Sequence, residues 1–265
     1  MSEQQSSVPQ TLSGKTAIIT GGASGIGLAI AKAFAQQGAR AVILDLNQDA
    51  AHAAAQQIAA SGGTAHALAC DVSDANSVRQ AFDSILRRGH VHILVNCAGV
   101  AHVGTATTTS EEDFDRIMRI NVLGVWLCTR AVVEPMKQHG GGVILNMASI
   151  AAFVGLPDRF AYSTSKGAVL AMTYSVARDY LNDNIRCNAI SPARVHTPFV
   201  DGFVAKNYPG REAEMMEELG RAQPIGRMAR PDEVASLAVW LCSDAASFVT
   251  GANYPLDGGF VNLRG

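Results

Sequence analysis

Basic runs, metal-ligand clusters, paired cysteines and long apolar stretches are all missing from this chain of 265 residues. Lysine and arginine number 21 against 23 aspartates and glutamates, a formal net charge of −2, and the basic residues form no run. That balance argues against nucleic acid or an anionic membrane as the main partner. The five cysteines (Cys70, Cys97, Cys128, Cys187, Cys242) are odd in number, widely spaced and without a CxxC pair. They read as small buried thiols of a reducing compartment. The seven histidines form no HxxxH and no His/Cys cluster, so no metal site is expected. No uncharged apolar run reaches the roughly 18 residues of a membrane span. The opening MSEQQSSVPQTLSG lacks the apolar core of a signal peptide. Residues 1–14 therefore read as a flexible tail and the protein as cytoplasmic.

What is present is a core. Hydrophobic residues make up 48% and charged residues 17%, the balance of a folded globular chain. Short β-branched apolar runs at 15–20, 40–45, 65–70, 92–96, 143–147, 185–191 and 253–256 read as strands. Helical patterns fill 25–37, 48–60, 74–88, 110–137, 160–181 and 231–242. Continuously apolar strands separated by helices predict one α/β domain over 15–265, a doubly wound parallel seven-stranded sheet with helices on both faces. Residues 197–226 break the alternation with Pro198, Pro209, Gly210 and Pro224, and so long a connection reads as a substrate lid. Within it, Met215 and Met216 can pack on a substrate or fill the lid's own core.

The first strand runs into Thr20-Gly21-Gly22-Ala23-Ser24-Gly25-Ile26-Gly27 and then a helix. Glycines let a backbone approach a diphosphate, and a helix N-terminus offers free N–H groups and positive potential. Asp45 ends the second strand, where a carboxylate can hold an adenosine ribose and repel a 2′-phosphate, favouring NAD over NADP. It can also serve as a plain helix N-cap. Further along, Tyr162 and Lys166 stand at i and i+4 on one predicted helix face, with Ser149 thirteen residues upstream of Tyr162. A phenol normally ionises near pH 10, too high for a base at neutral pH. An ammonium close by favours the phenolate strongly only in a pocket shielded from water. On an open surface the same pair is a Tyr and a solvated Lys.

Together these motifs resemble the short-chain dehydrogenase/reductase family over nearly the whole chain. Residues 20–27 are similar to its TGxxxGxG loop, and Asp71-Val72 to its adenine-contacting pair. Asn96-Cys97-Ala98-Gly99 is similar to its NNAG motif with Cys97 in place of the second Asn, and Asp257-Gly258-Gly259 resembles its C-terminal signature. Asn121, Ser149, Tyr162 and Lys166 match its catalytic residues in order and spacing. The resemblance implies that Tyr162 exchanges the substrate hydroxyl proton while hydride passes to the nicotinamide, and that Ser149 polarises that oxygen. It implies that Lys166 eases ionisation of Tyr162 and holds the nicotinamide ribose, and that Asn121 holds a water linking Lys166 to solvent. The implied NAD-binding set is Gly21, Ser24, Gly25, Ile26, Gly27, Asp45, Leu46, Asp71, Val72, Asn96, Ala98, Gly99, Tyr162, Lys166, Pro192, Val195 and Thr197. Read singly, Ser149 could cap its own backbone and Asn121 could be a satisfied polar group in a helix.

After the sixth strand the family usually has Pro-Gly, whereas here Pro192 is followed by Ala193 and Arg194. Arg194, and Arg159 three residues before Tyr162, put fixed cations beside the expected substrate position, with Ser149 and Tyr162 as its other contacts. Either Arg could hold a substrate carboxylate. An ion pair of Arg194 with Asp158, Asp201 or a lid glutamate is the alternative. Residues 191–202, 207–210 and 223–227 resemble sugar-acid dehydrogenases of the L-fucose breakdown route. That likeness implies 2-keto-3-deoxy-L-fuconate oxidised at its C4 hydroxyl. Sugar, polyol or 3-oxoacyl oxidoreduction within the family remains open, as does an NAD-binding regulator without turnover. Family resemblance also implies a homotetramer built on helices 110–137 and 160–181 and on the C-terminal strand 253–256, with Ala168, Ala171, Val176 and Ala177 small enough for close packing. The tail 260–265 would then lie near a neighbour's site.

Overall fold

The computed structural model describes residues 11–263. Seven strands form one parallel sheet: β1 (Thr16–Thr20), β2 (Arg40–Asp45), β3 (Thr64–Ala69), β4 (Ile93–Asn96), β5 (Gly142–Met147), β6 (Ile185–Pro192) and β7 (Asn253–Leu256). Their spatial order is β3-β2-β1-β4-β5-β6-β7. The order reverses between β1 and β4, the place where open α/β sheets leave a ligand crevice at the strand C-termini.

Period-two alternation explains the layers. In β1, Ala17 and Ile19 join the core on one face and Ile18 the core on the other, all fully buried. The first core is closed by α1 (Gly25–Gln36), α2 (Gln48–Ala60) and α9 (Pro231–Cys242). The second is closed by α3 (Ala75–Leu86), α5 (Gly124–Gln138) and the end of α6 (Phe160–Asp179). With both faces covered, the central strands are mostly apolar, with buried polar exceptions such as Asn96 and Asn146.

Three parts depart from the sequence reading. Residues 11–14 belong to the fold: Leu12 is fully buried and donates its N–H to Gln37 O at 3.0 Å. A single leucine in a polar run carries no periodicity to reveal this, and residues 1–10 lie outside the described residues. The helix expected over 110–137 is divided into α4 (Glu111–Met118), a π-helical turn at Arg119–Leu123 and α5. The lid contains two helices of its own, α7 (Pro198–Asn207) and α8 (Glu212–Arg221), with Val204 and Met215 buried beneath them.

At the N-terminal edge of the sheet three imidazoles crowd together. The His90 ring lies 4.5 Å from that of His139 and 4.1 Å from that of His92. His90 Nδ1 is buried without a partner among the described residues. Burial, then the fields of His92 and His139, lower the His90 pKa to about 4, and burial and Lys15 lower that of His92. A depressed imidazole stabilises the fold above its unfolded value near 6.5, and that contribution is lost as pH falls toward 4. We expect the unfolding free energy to drop by about 1–2 kcal/mol between pH 7 and 4.5 on this account, partial exposure of the rings having been allowed for. His90→Gln should flatten that slope in urea titrations; an unchanged slope assigns it elsewhere.

Candidate active site

The crevice begins where two strand ends are tied together. Thr20 Oγ1 accepts the N–H groups of Cys97 and Ala98, each at 3.1 Å. Gly21 has φ +64°, and a Cβ there would lie 2.8 Å from Ala98 Cα, so only glycine lets the two loops touch. Ser24 is the N-cap of α1 yet supplies no side-chain cap. The first-turn amides of Gly25, Ile26 and Gly27 are thereby left to an anion. Thr197 reaches over the loop, its Cγ2 3.4 Å from where a Gly25 Cβ would stand, and Val195 is buried behind it.

Asp45 is not a helix cap. Its Oδ2 accepts Ala23 N–H of the glycine loop and its Oδ1 accepts Asn47 N–H, both at 3.1 Å, while Asn47 caps α2. The neighbouring Leu46 is exposed. Asp71 Oδ1 accepts from Ser73 N (2.8 Å) and Ser73 Oγ (2.7 Å), which shapes the turn after β3. Val72 packs on Gly124, where an added Cβ would meet it at 2.9 Å. A glycine loop at a helix N-terminus, with a carboxylate at the end of the second strand, fits a nicotinamide dinucleotide.

Around the catalytic candidates the bonds are tight. Lys166 is buried and donates from Nζ to Met147 O at 2.7 Å, and Nζ lies 5.8 Å from the centre of the Tyr162 ring. Ser149 Oγ accepts Ala151 N–H at 3.2 Å and points its proton at Pro192 O, 3.5 Å away. Asn121, in the π-helical turn, donates to Val100 O (2.9 Å) and Ser165 Oγ (3.0 Å) and accepts Val100 N–H (2.9 Å). Both its amide hydrogens are spent on bracing, and Asn121 thereby clamps the loop after β4 to the first turns of α6. Gly99 sits between the two: a Cβ there would stand 3.1 Å from Asn121 Oδ1 and 3.5 Å from Lys166 Nζ.

The Asn96 side chain is buried and donates to Thr129 and Asn146. Its neighbours Ala98 and Gly99 stand against Gly21 and Lys166.

Arg159 is the N-cap of α6, three residues before Tyr162, and Arg194 stands two residues beyond Pro192, whose carbonyl lies 3.5 Å from Ser149 Oγ. The ion pairs considered for Arg194 do not form. Asp201 binds His196 (2.8 Å), Glu214 holds Arg211 through two bonds of 2.8 Å, and Glu217 pairs with Arg221. Among the described residues Arg194 has no side-chain partner, and Arg159 only carbonyls at long range, His102 O (3.5 Å) and Asp158 O (3.3 Å). Arg194 is exposed to solvent over much of its surface. Burial lowers its pKa first and the nearby Arg159 second, against weaker pulls from Tyr208 and Glu218. Two guanidinium groups that repel each other and form no ion pair among the described residues leave this part of the surface cationic.

A family model described as enoyl-(acyl carrier protein) reductase matches residues 21–261. A D-threitol dehydrogenase of Mycolicibacterium smegmatis is 43% identical over 250 residues, 94% of each chain. The chain belongs to the short-chain dehydrogenase/reductase family. A cyclopentanol dehydrogenase of Comamonas sp. is 39% identical over 93% of this chain and 96% of its own. The L-sorbose reductase of Gluconobacter frateurii, solved with NADPH and L-sorbose, superposes with TM-score 0.92 at 32% identity, covering 97% of this chain and all of that one. A structure assigned to an NAD(P)-dependent gluconate 5-dehydrogenase of Beutenbergia cavernae, with NADP bound, gives 0.88 at 32% identity over 96% of this chain and 99% of that one. This short-chain dehydrogenase is thus an oxidoreductase akin to enzymes of alcohols and polyols.

Several groups at the site were not singled out from the sequence. The Thr20 hydroxyl, the Met147 carbonyl and Ser165, which donates to Tyr162 O at 2.7 Å, organise it as much as the named residues do. Thr20 and Ser165 lie inside the motifs themselves, so their positions were in view. A main-chain carbonyl leaves no mark in a sequence.

Proposed function

We propose that this enzyme is an NAD-linked dehydrogenase interconverting a secondary alcohol and a ketone on a small hydroxylated sugar acid. The reaction rests on one observation: Lys166, buried and anchored on Met147 O, holds its ammonium beside the Tyr162 ring. In a shielded site that charge favours the phenolate. Tyr162 Oη then takes the substrate hydroxyl proton, and Ser149 Oγ donates a hydrogen bond to the same oxygen. Lys166 retains two N–H groups for the cofactor ribose. Asn121 and Gly99 fix the space around it. Bound NAD would supply the hydride acceptor.

The substrate class rests on Arg159 and Arg194, which form no ion pair among the described residues and are suited to a carboxylate a few atoms from the reacting carbon. The gluconate 5-dehydrogenase likeness supports an acid. The D-threitol relative favours a neutral polyol, the second reading. None of the relatives named above is an L-fuconate-route enzyme; 2-keto-3-deoxy-L-fuconate stays one acid to assay among several. A screen of NAD reduction over matched acids and polyols decides. We expect acids to be oxidised faster, and Arg159→Met or Arg194→Met to raise their KM about 10–100-fold, the worth of a charge-assisted hydrogen bond, with little effect on neutral polyols. Unchanged KM in both variants, or faster turnover of polyols, establishes the polyol reading. No turnover of any alcohol would leave a non-catalytic NAD-binding protein.

For assembly we propose a homotetramer through the outer faces of α5 and α6, where Trp126, Phe160 and Tyr174 are exposed. Ala168 and Ala171 are accessible there, but Ala177 is buried in the core and cannot contribute. The expectation for the tail now concerns Phe260–Leu263 alone, since residues 264–265 lie outside the described residues. Light scattering at micromolar protein should give four times the chain mass; a monomer mass refutes it.

A further inference from the structure

A buried polar chain runs between the sheet and the helix that carries Tyr162 and Lys166. Asn96 on β4 donates from Nδ2 to Thr129 Oγ1 on α5 (3.2 Å) and to Asn146 Oδ1 on β5 (2.8 Å). Asn146 Nδ2 donates to Thr173 Oγ1 on α6 at 2.9 Å and reaches Cys187 Sγ on β6 at 3.6 Å. Thr173 completes the chain by donating to Val169 O of its own helix at 2.8 Å. Asn146 and Thr173 are 1% and 0% exposed. Within this polar network Asn96 Oδ1 is the one atom without a partner among the described residues. Polar groups so deep cost free energy that apolar side chains of similar shape would not, and in return they select one packing arrangement.

Two placements tie this chain to the site. Asn146 immediately precedes Met147, whose carbonyl holds the Lys166 ammonium. Thr173 lies seven residues beyond Lys166, about two helical turns, and so on the same face of α6. The bond from Asn146 to Thr173 therefore fixes the rotation of α6 against β5. That rotation decides where Lys166 Nζ falls between Met147 O and the Tyr162 ring.

We propose that Asn146 and Thr173 are positioning residues for Lys166, acting through it on the ionisation of Tyr162 and on NAD affinity. This rests on the roles given to Lys166 and Tyr162 above. Without the Thr173 hydroxyl, α6 can turn by a fraction of a side chain, and the ammonium drifts from the phenol.

Thr173→Val keeps shape and removes the hydroxyl. We expect kcat at neutral pH to fall about tenfold and the acid limb of kcat/KM to move up by about one pH unit, the two being equivalent for a base that must be ionised. The dissociation constant for NAD should rise as well, and Thr173→Ser should restore both. Val78→Ala, in the core of α3, supplies a destabilised control away from the site. A Thr173→Val enzyme with lowered Tm but an unmoved pH profile and NAD affinity, like that control, would overturn the proposal. Ultraviolet difference titration of the phenolate, read as each protein minus its Tyr162→Phe counterpart, needs no substrate. If no alcohol is oxidised but this titration still moves to higher pH in Thr173→Val, positioning stands and the dehydrogenase reading fails. If the titration does not move, positioning fails whatever the turnover.

Discussion

Tyr162→Phe is expected to lower kcat by about a thousandfold or more while NAD binding stays within a few-fold of the unmutated enzyme. General acid/base catalysis is worth about 10²–10⁴ in rate, and the phenol oxygen is placed as the group that exchanges the substrate proton. The variant keeps the ring that packs beside Lys166, with Nζ still 5.8 Å from its centre if the fold is unchanged. Lys166 remains tied to Met147 O, and the glycine loop and Asp45 do not touch the phenol. Loss of turnover with retained NAD affinity is thus the signature of a missing proton acceptor, not of a damaged pocket. Turnover within a few-fold of the parent would remove Tyr162 from the mechanism. Steady-state kinetics with calorimetric NAD binding on the same preparation give both numbers.

The sheet was legible because most strands are apolar runs ended by turn residues, and the central ones are buried on both faces, which leaves a local signal. The site was legible where its chemistry is local: Tyr162 and Lys166 share a helix face, and the glycine loop is one continuous stretch. What escaped depends on distant partners. The strand-end position of Asn96 is plain in the sequence, but not that Thr129 and Asn146, 33 and 50 residues away, accept its amide. The π-helical turn at Arg119–Leu123 adds one residue to a turn without disturbing the apolar stripe, so it passes as continuous helix. Whether Arg194 is paired turns on which carboxylates of α7 and α8 find other cations first. Arg211 and Arg221 claim Glu214 and Glu217 within their own helix or its cap, a local pairing that the i, i+3 and i, i+4 spacings do carry. The sequence therefore held half of that answer, in the lid, and not the half that concerns Arg194.

Cofactor choice is the second large effect. NAD should be preferred over NADP by about 100-fold or more in kcat/KM, because a 2′-phosphate set against Asp45 meets like charge at short range, worth several kcal/mol at an effective dielectric near 20. The contest is real, since the L-sorbose reductase of the same fold was solved with NADPH. Asp45 has a second duty that complicates the obvious variant: its Oδ2 accepts Ala23 N–H and so braces the glycine loop. Asp45→Ala removes repulsion and brace together, so it should narrow the preference while weakening both cofactors. Asp45→Asn separates the two. Its amide oxygen can still accept Ala23 N–H, only the Asn47 N–H loses its acceptor, and its charge is gone, so kcat/KM for NADP should rise by more than tenfold while that for NAD falls only a few-fold. If Asp45→Asn instead lost NAD and gained nothing with NADP, the carboxylate would matter as a loop brace alone. Comparable kcat/KM for the two cofactors in the unmutated enzyme would show that Asp45 does not select between them at all.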